Sequence, residues 1–189
     1  METNKYQNKR LKLISDLVDG KKVLDIGYAS MPNPYLNKFY SVGYDILKAK
    51  RKKIYNEEIK GDVRDIKKKL NNRKFNTIIC GEFIEHLENP YQFLRDIKDL
   101  LEENGKLILS TPNPMGFPMF LFEMFRSKKF FYSKDHIYCF LPRWVERMLK
   151  ITNYKLIKIK PVGIYLPLLH FFWCPISFSY QLIYVAKKL

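Results

Sequence analysis

Four short apolar segments of the sequence end in small or acidic residues. These ends read Asp25-Ile26-Gly27, Gly43-Tyr44-Asp45, Gly61-Asp62 and Cys80-Gly81-Glu82. A glycine after a strand lets the backbone approach a ligand closely, and an acidic residue that closes the next strand can accept two hydrogen bonds from a ribose diol. An aspartate after a third strand can accept a hydrogen bond from an exocyclic amine. Helix capping explains each feature alone equally well, so the order and spacing of all four together predict a binding site.

Two histidines and two glutamates form a second set of candidate residues. Glu82, Glu85 and His86 would share one face of a helix, where two carboxylates and an imidazole could bind a divalent metal. We favour an interpretation without metal, in which the histidine caps a helix or packs near a substrate. His136 lies in a later loop and is a candidate general base, with a structural hydrogen bond to the backbone as the alternative. His86 and His136 are therefore the two candidate catalytic residues.

Strands and helices alternate along most of the chain and would position these residues. Apolar runs predict strands over 22–26, 40–46, 53–60, 75–80, 106–110, 154–160 and 180–186. Helical spacing predicts helices over 11–18, 63–70 and 142–150, and a further helix that begins at Asn89-Pro90 and ends at Asn104-Gly105. The strands are continuously apolar, as expected where both faces of a sheet are covered. We therefore predict a doubly wound α/β sheet.

The sequence resembles the class I S-adenosylmethionine-dependent methyltransferases, in the small-molecule branch that includes the type 11 and type 23 methyltransferase domains. The resemblance covers roughly residues 10 to 160 and implies a single Rossmann-like domain over 1–189, mostly parallel with an antiparallel last strand. The segments that carry it are 23–27 (VLDIG), 42–45 (VGYD), 61–63 (GDV), 75–90 (FNTIICGEFIEHLENP), 105–113 (GKLILSTPN), 135–137 (DHI) and 140–144 (FLPRW).

The resemblance implies S-adenosylmethionine as cofactor and assigns eight residues at the strand ends to its binding. Asp25, Gly27 and Tyr28 would shape the loop at the methionine moiety, and Asp45 would bind the ribose. Asp62 and Val63 would flank the adenine, and Cys80 and Gly81 would lie under the cofactor. Ubiquinone-pathway O-methyltransferases carry a similar E-x-x-E-H pattern, which is associated there with a divalent ion.

One departure from the family pattern concerns the loop after the first strand. The usual G-x-G-x-G reads Gly27-Tyr28-Ala29-Ser30 here, so only the first glycine is retained. Pro32 and Pro34 follow, and they predict that the helix after this loop is shortened or broken.

The net charge indicates the class of partner, and the cysteines indicate the cellular compartment. The net charge is +15, which favours a polyanionic partner, either nucleic acid or an anionic membrane surface, over a neutral one. The alternative is a lysine-rich solvated surface, because the densest cluster, 48–53 (KAKRKK), is short. Three widely spaced cysteines form no disulfide framework, so we expect a cytoplasmic protein. If an anionic membrane is its partner, we expect peripheral contact with the inner membrane face.

Two apolar insertions are predicted near the carboxyl ends of the strands. One is an aromatic cap over 113–140, and the other is an apolar loop over 161–178 before the last strand. Apolar and aromatic residues beside lysines suit a greasy substrate or a membrane interface, and a simple cap or a contact between subunits is the alternative. Prolines interrupt 161–186, so we expect strands and a loop there rather than a spanning helix.

These features predict transfer of a methyl group to an oxygen or nitrogen of a small or lipid-linked acceptor. A non-catalytic binding or scaffold protein on the same fold is the first alternative, and the altered glycine loop favours it. An RNA methyltransferase that uses the positive charge is the second. Nucleic acid is the less favoured partner, because the aromatic residues come in unbroken apolar runs.

Overall fold

The computed structural model describes residues 5–49, 54–117, 119–125, 135–165, 170–171 and 173–189. Parts of three predicted segments lie outside these residues. They are positions 50–53 of the basic cluster, 118 and 126–134 of the aromatic cap, and 166–169 and 172 of the apolar loop. The division of the chain into one domain with these two insertions stays a prediction.

Eight strands and five helices make up the described regular structure, together with several short 3₁₀ turns. The strands are β1 Lys22–Ile26, β2 Tyr40–Asp45, β3 Glu57–Lys60, β4 Phe75–Gly81, β5 Leu101–Pro112, β6 Tyr154–Tyr165, β7 His170–Phe171 and β8 Gln181–Lys188. The helices are α1 Lys5–Leu17, α2 Ile66–Lys69, α3 Pro90–Lys98, α4 Met119–Met124 and α5 Pro142–Ile151.

The strands form one sheet in the order β3-β2-β1-β4-β5-β8-β6-β7. The first five strands pair in parallel, and β8 runs antiparallel to both β5 and β6. The strand order reverses between β1 and β4, so the connections that follow these two strands leave in opposite directions. The crevice between them, at the carboxyl ends of the strands, is where doubly wound sheets bind ligands. The predicted fold, a mostly parallel doubly wound sheet with an antiparallel last strand, is confirmed.

Both faces of the sheet are covered, which explains the continuously apolar strands. Successive side chains of a strand point to opposite faces, so Val23 of β1 enters one core while Leu24 and Ile26 enter the other. The larger core packs α2, α3 and α5 against the sheet, and the smaller packs α1. Asp25 lies between Leu24 and Ile26 and so points, like Val23, to the α1 face.

No α-helix connects β1 to β2. Residues 27–39 contain only a 3₁₀ turn, Pro34–Leu36, in which the backbone N–H of Tyr35 donates to the Asn33 side chain. The prediction that the two prolines shorten or break the helix after β1 is thus confirmed, and the helix is absent. The α1 face of the sheet is filled here by two buried tyrosine rings, Tyr28 and Tyr55, which meet edge to face with centroids 4.7 Å apart.

Helix α3 begins as predicted and ends earlier than predicted. The Asn89 side chain accepts a hydrogen bond from the backbone N–H of Gln92, and Pro90 occupies the first turn. The helix stops at Lys98, and Leu101 already pairs with Phe75 in the sheet. The predicted end at Asn104-Gly105 was wrong because Leu100 and Leu101 continue the helical apolar spacing, although they are buried as the start of a strand.

The bases of the two predicted insertions are hydrogen-bonded to each other. The Asn113 amide donates to the carbonyl of Ser179 at 3.0 Å, and the backbone N–H of Phe117 donates to the carbonyl of Phe178 at 3.2 Å. Gly116 lies so close to Ser179 that a Cβ on it would sit 2.2 Å from the Ser179 carbonyl oxygen. Among the described residues, no helix is both long and apolar enough to span a bilayer.

We predict that Asn89→Ala lowers the free energy of unfolding by about 1 kcal/mol, because the variant loses the side-chain cap of α3. Asn89→Ser keeps a capping oxygen and is the matched control, with a loss of only a few tenths. Urea denaturation followed by circular dichroism measures both. Equal losses in the two variants would show that the cap does not stabilise this helix.

Candidate functional site

A cavity of about 250 Å³ opens at the carboxyl ends of the parallel strands. It lies between α1, the loop after β1 and the end of β4, where Tyr180 and Gln181 close it. Its lining includes four of the residues predicted for the cofactor site, Asp25, Gly27, Tyr28 and Gly81, and also His136 and Glu82. The cavity therefore forms where the sequence predicted a binding site.

A buried guanidinium and a carboxylate face each other on one wall of this cavity. Arg10 of α1 donates to the Ser110 hydroxyl at 2.9 Å, and that hydroxyl donates to Glu82 at 2.9 Å. The Gln181 amide donates to the other oxygen of Glu82 at 2.6 Å, and the Arg10 and Glu82 charges are 3.9 Å apart. Because every charge has a hydrogen-bond partner, the network holds charges of both signs in a protected site.

Asp25 is the second carboxyl of the cavity wall. The Tyr55 hydroxyl donates to it at 2.6 Å and accepts in turn from the backbone N–H of Asn33 at 3.0 Å. Burial raises the pKa of Asp25 to about 7, against the opposing effects of the Tyr55 hydrogen bond and the Arg10 charge. The carboxyl therefore holds its proton in the folded protein far above the pH at which an exposed aspartate ionises.

The loop after β1 is tied to β2 by its backbone. Gly27 adopts a φ of +78° and donates its N–H to the carbonyl of Tyr44 at 2.9 Å. Two residues later the N–H of Ala29 donates to the Asp45 carboxylate at 2.9 Å, and Leu47 donates to the other oxygen of that carboxylate. Asp45 is half-buried and each carboxylate oxygen can accept more than one hydrogen bond, so it remains able to bind a ligand while it holds the loop.

The Tyr28 ring packs under the loop, against the backbone of β2. A Cβ on Gly43 would lie 2.9 Å from the Tyr28 ring, so the ring occupies the space that a side chain at position 43 would need. Tyr28 is almost fully buried and lies on the α1 face, in the layer left vacant by the missing helix. Tyr28 is also one of the residues that line the cavity.

Four of the predicted cofactor residues lie outside the cavity lining. Asp45 is one of them, and it lies beside the loop after β1. Asp62 caps a 3₁₀ turn, Val63–Asp65, and forms an exposed ion pair with Arg64 at 2.6 Å. Val63 packs at the edge of the larger core, and Cys80 is fully buried within that core. Cys80 faces away from the cavity because it alternates with Ile79 and Gly81, which line it. The adenine-side roles predicted for these residues remain predictions.

Glu85, His86 and His136 come together at the rim of the cavity. Their possible ligand atoms all lie within 4.8 Å of one another, and the two imidazole rings meet edge to face with centroids 4.6 Å apart. The Nδ1 of His86 is 3.0 Å from the carbonyl oxygen of Asp135, so it donates there and its Nε2 is left as the lone-pair nitrogen. Burial and the neighbouring His86 lower the pKa of His136.

The Glu85 carboxyl is buried, and neither of its oxygens has a hydrogen-bond partner among the described residues. Burial and the nearby Glu82 charge raise the pKa of Glu85 well above its usual range. A buried carboxyl without partners is costly, so this side chain is one that an added cation would stabilise.

The structure differs from the predicted arrangement of the E-x-x-E-H segment. Glu82 has a φ of +53°, and only Ile84–His86 form a short 3₁₀ turn, so the three residues do not share one helix face. Glu82 points instead to Arg10 and Gln181, while His136 joins Glu85 and His86. The sequence spacing alone could not show this, because it assumes a regular helix.

Sequence reasoning missed three residues of the cavity region, Arg10, Tyr55 and Gln181. A signal existed for Arg10, because Tyr6, Arg10 and Ile14 are spaced by four and a charged residue stands on the buried face of α1. Gln181 is likewise a polar residue at the start of an otherwise apolar predicted strand. Tyr55 has no comparable signal, since it follows a lysine cluster in an irregular segment.

Comparisons with known proteins agree on the family of this chain. A family model described as a methyltransferase domain matches residues 2–159. A ubiquinone biosynthesis O-methyltransferase of Glaesserella parasuis is 45% identical over 40 residues, a segment that makes up 21% of this chain and only 17% of that protein.

Solved structures share the fold at low sequence identity. A SAM-dependent methyltransferase from Archaeoglobus fulgidus superposes with a TM-score of 0.74 at 17% identity, over 98% of this chain and 95% of the other. The 1,6-didemethyltoxoflavin-N1-methyltransferase of Burkholderia thailandensis, solved with its substrate and S-adenosylhomocysteine bound, gives a TM-score of 0.65 at 12% identity, over 94% of this chain and 77% of the other.

We predict that Asp25 makes stability depend on pH. Its pKa is about 7 in the folded protein and near 3.8 when unfolded, so its contribution is complete below pH 4 and is lost as the pH rises to 7. The difference in unfolding free energy between the wild type and Asp25→Asn should therefore fall by up to about 1.4 kcal/mol per pH unit in this window.

Urea denaturation at several pH values measures this difference, and the raised pKa of Glu85 cancels because both proteins contain it. Asp16→Asn, at an exposed position of α1, is the control and should follow the wild type. Parallel stability curves for the wild type and Asp25→Asn would contradict the prediction.

Proposed function

We propose that this chain, which belongs to the methyltransferase-domain family, is an S-adenosylmethionine-dependent methyltransferase that methylates an oxygen or nitrogen of a small or lipid-linked acceptor. The observation that carries the proposal is the cavity at the carboxyl ends of β1 and β4, with charges of both signs in its wall. Such a wall suits the amino acid end of this cofactor, which carries an ammonium and a carboxylate.

The described residues fit the cofactor in two places. Arg10 is the cation available to its carboxylate, and Asp25, Glu82 and Gln181 supply acceptor oxygens for its ammonium. The Gln181 Oε1 is buried without a hydrogen-bond partner among the described residues, which is consistent with an acceptor awaiting a donor. Asp45 closes β2 beside the loop and is the residue proposed for the ribose hydroxyls.

The altered glycine loop is compatible with this role. The backbone of Gly27 keeps a positive φ, and Ala29 donates its N–H to Asp45, so the loop is held against β2 without the missing glycines. Tyr28 packs on the α1 face under the loop and leaves the cavity open. This arrangement favours the enzyme over the non-catalytic scaffold.

When bound, the cofactor supplies a methyl group already activated by its sulfonium. The protein has therefore mainly to align the acceptor with that methyl group and to exclude water. His136 lines the cavity, and its lowered pKa keeps the imidazole neutral near pH 7, so we propose that it accepts the proton of the acceptor hydroxyl or amine. His86 is the positioning partner, because its ring contacts His136 edge to face.

We predict that S-adenosylhomocysteine binds the wild type and that Asp45→Asn raises its Kd by about 10- to 100-fold, since hydrogen bonds to a charged group are worth about 1.5–3 kcal/mol. Isothermal titration calorimetry measures both values. Asp65→Asn, at an exposed aspartate outside the cavity, is the matched control and should bind as the wild type does. Absence of binding by the wild type, or an unchanged Kd for Asp45→Asn, would reject the proposed cofactor site.

We also propose that Glu85, His86 and His136 hold a divalent cation. The supporting observation is the buried Glu85 carboxyl, which lacks hydrogen-bond partners among the described residues and lies beside two imidazoles. The mixed oxygen and nitrogen donor set suits Mn²⁺, Fe²⁺ or Zn²⁺. When bound, such an ion would lower the pKa of an acceptor hydroxyl, and His136 would then be a ligand of the ion in place of its role as proton acceptor.

We predict that the wild type binds one Mn²⁺ and that Glu85→Gln weakens the affinity at least about 10-fold, because even the loss of an outer partner costs a metal site about that much. The loss of the free Mn²⁺ signal in electron paramagnetic resonance measures binding without knowledge of the acceptor. Glu88→Gln, at an exposed glutamate three residues away, is the control. Equal Mn²⁺ binding by the wild type and Glu85→Gln would exclude this site, as would no binding by the wild type.

A further inference from the structure

We propose that three apolar segments around the cavity mouth form a surface that docks on an anionic lipid bilayer. The surface, which we term the apolar rim, consists of the described residues of 115–125, 137–138 and 173–178. Docking itself is independent of methyl transfer. The consequence that the acceptor enters the cavity from the bilayer rests on the proposed function.

Exposed apolar side chains are concentrated in the apolar rim. Of the eighteen large hydrophobic residues that remain exposed in the described part of the chain, ten belong to these three short segments. The most exposed are Trp173 at 92% and Phe125 at 74%, and Phe117, Phe120, Ile176 and Phe178 are also exposed. An exposed cluster of this kind marks an interaction site, and tryptophan and phenylalanine are the residues that anchor proteins in the interfacial region of a membrane.

The apolar rim is fixed to the cavity by hydrogen bonds. Asn113 and Phe117 bind the backbone of 176–179, which joins the first segment to the third. The next residues, Tyr180 and Gln181, line the cavity itself. The second segment follows His136 directly, and its backbone N–H groups at Ile137 and Tyr138 donate to the Glu85 carbonyl at 2.9 and 3.1 Å. Each of the three segments is therefore joined at its base to residues that line the cavity or directly precede or follow lining residues.

Charge favours a bilayer over a second copy of this chain as the occupant. The protein carries a net charge of +15, so two copies repel each other, whereas an anionic lipid surface attracts each of them. The described part of the third segment contains no charged residue, and Lys9 of α1 lies close enough to Cys174 for the two side chains to interact. A surface whose three segments contain a single acidic residue, Glu123, and that has a basic residue beside it matches the apolar and anionic layers of a membrane interface.

The two tryptophans of the chain provide an internal probe for the experiment. Trp173 belongs to the apolar rim, whereas Trp144 lies on the exposed side of α5. Trp144→Phe leaves Trp173 as the only tryptophan, and Trp173→Phe leaves Trp144. Vesicles of phosphatidylcholine, with or without phosphatidylglycerol and with brominated acyl chains, are added to each variant at about 0.1 M salt.

We expect the fluorescence of Trp173 to shift to the blue and to be quenched by the brominated chains of anionic vesicles, and that of Trp144 to stay unchanged. The double variant Phe125→Ser and Trp173→Ser should sediment with anionic vesicles at least about 10-fold more weakly, because it loses two apolar anchors. Its Kd for S-adenosylhomocysteine should be unchanged, which separates failure of docking from failure of the proposed function.

Three results would overturn the inference. The first is that the wild type fails to sediment with anionic vesicles, and the second is that the double variant sediments as strongly as the wild type. The third is a blue shift of Trp173 that grows with protein concentration in the absence of lipid, together with a dimer mass in analytical ultracentrifugation. This last result would assign the apolar rim to a second copy of the chain.

Discussion

One hydrogen bond between buried side chains, from Tyr55 to Asp25, joins the parts of the molecule that surround the cavity. Asp25 belongs to β1, Tyr55 precedes β3, and the Tyr55 hydroxyl also receives the N–H of Asn33 in the loop between β1 and β2. The Asn33 side chain in turn donates to the carbonyl of Leu11 in α1. A helix between β1 and β2 would normally organise this region by packing. Here two prolines prevent that helix, and a chain of polar contacts between buried groups takes over its role.

The cavity and its surroundings offer two very different environments. The wall around Arg10 and Glu82 is polar. Arg10 is buried and Glu82 partly buried, and both charges have hydrogen-bond partners in Ser110 and Gln181. Charges in such a protected place act more strongly on a bound ligand than they would in water. The surface around the mouth is apolar and aromatic. A ligand that enters therefore passes an apolar surface at the mouth and meets fixed charges inside. This arrangement suits a molecule with a polar reactive end and an apolar remainder.

The elements of the fold follow from local sequence patterns, and the details of the site do not. The apolar strand that ends in Asp25 and Gly27 and the cap at Asn89-Pro90 are each encoded within a few neighbouring residues, so their prediction succeeded. Arg10 and Ser110 are separated by 100 positions. Tyr55 contacts Asp25 in a region where no α-helix lies between β1 and β2. Such pairings depend on tertiary structure, as does the turn at Glu82 that separates it from Glu85. The prediction of where α3 ends was wrong for a different reason: buried leucines fit the apolar spacing of a helix and of a strand equally well.

The contact between the Tyr28 ring and the backbone of Gly43 has a consequence for how this sequence can change. A methyl group at position 43 has no room beside the ring, and a smaller residue at position 28 would leave a void against Tyr55. The two positions therefore constitute a steric lock in which one partner must shrink before the other can grow. A variant with a small residue at position 28 would therefore need another group to fill the space against Tyr55, and Pro32 and Pro34 prevent a helix from doing so.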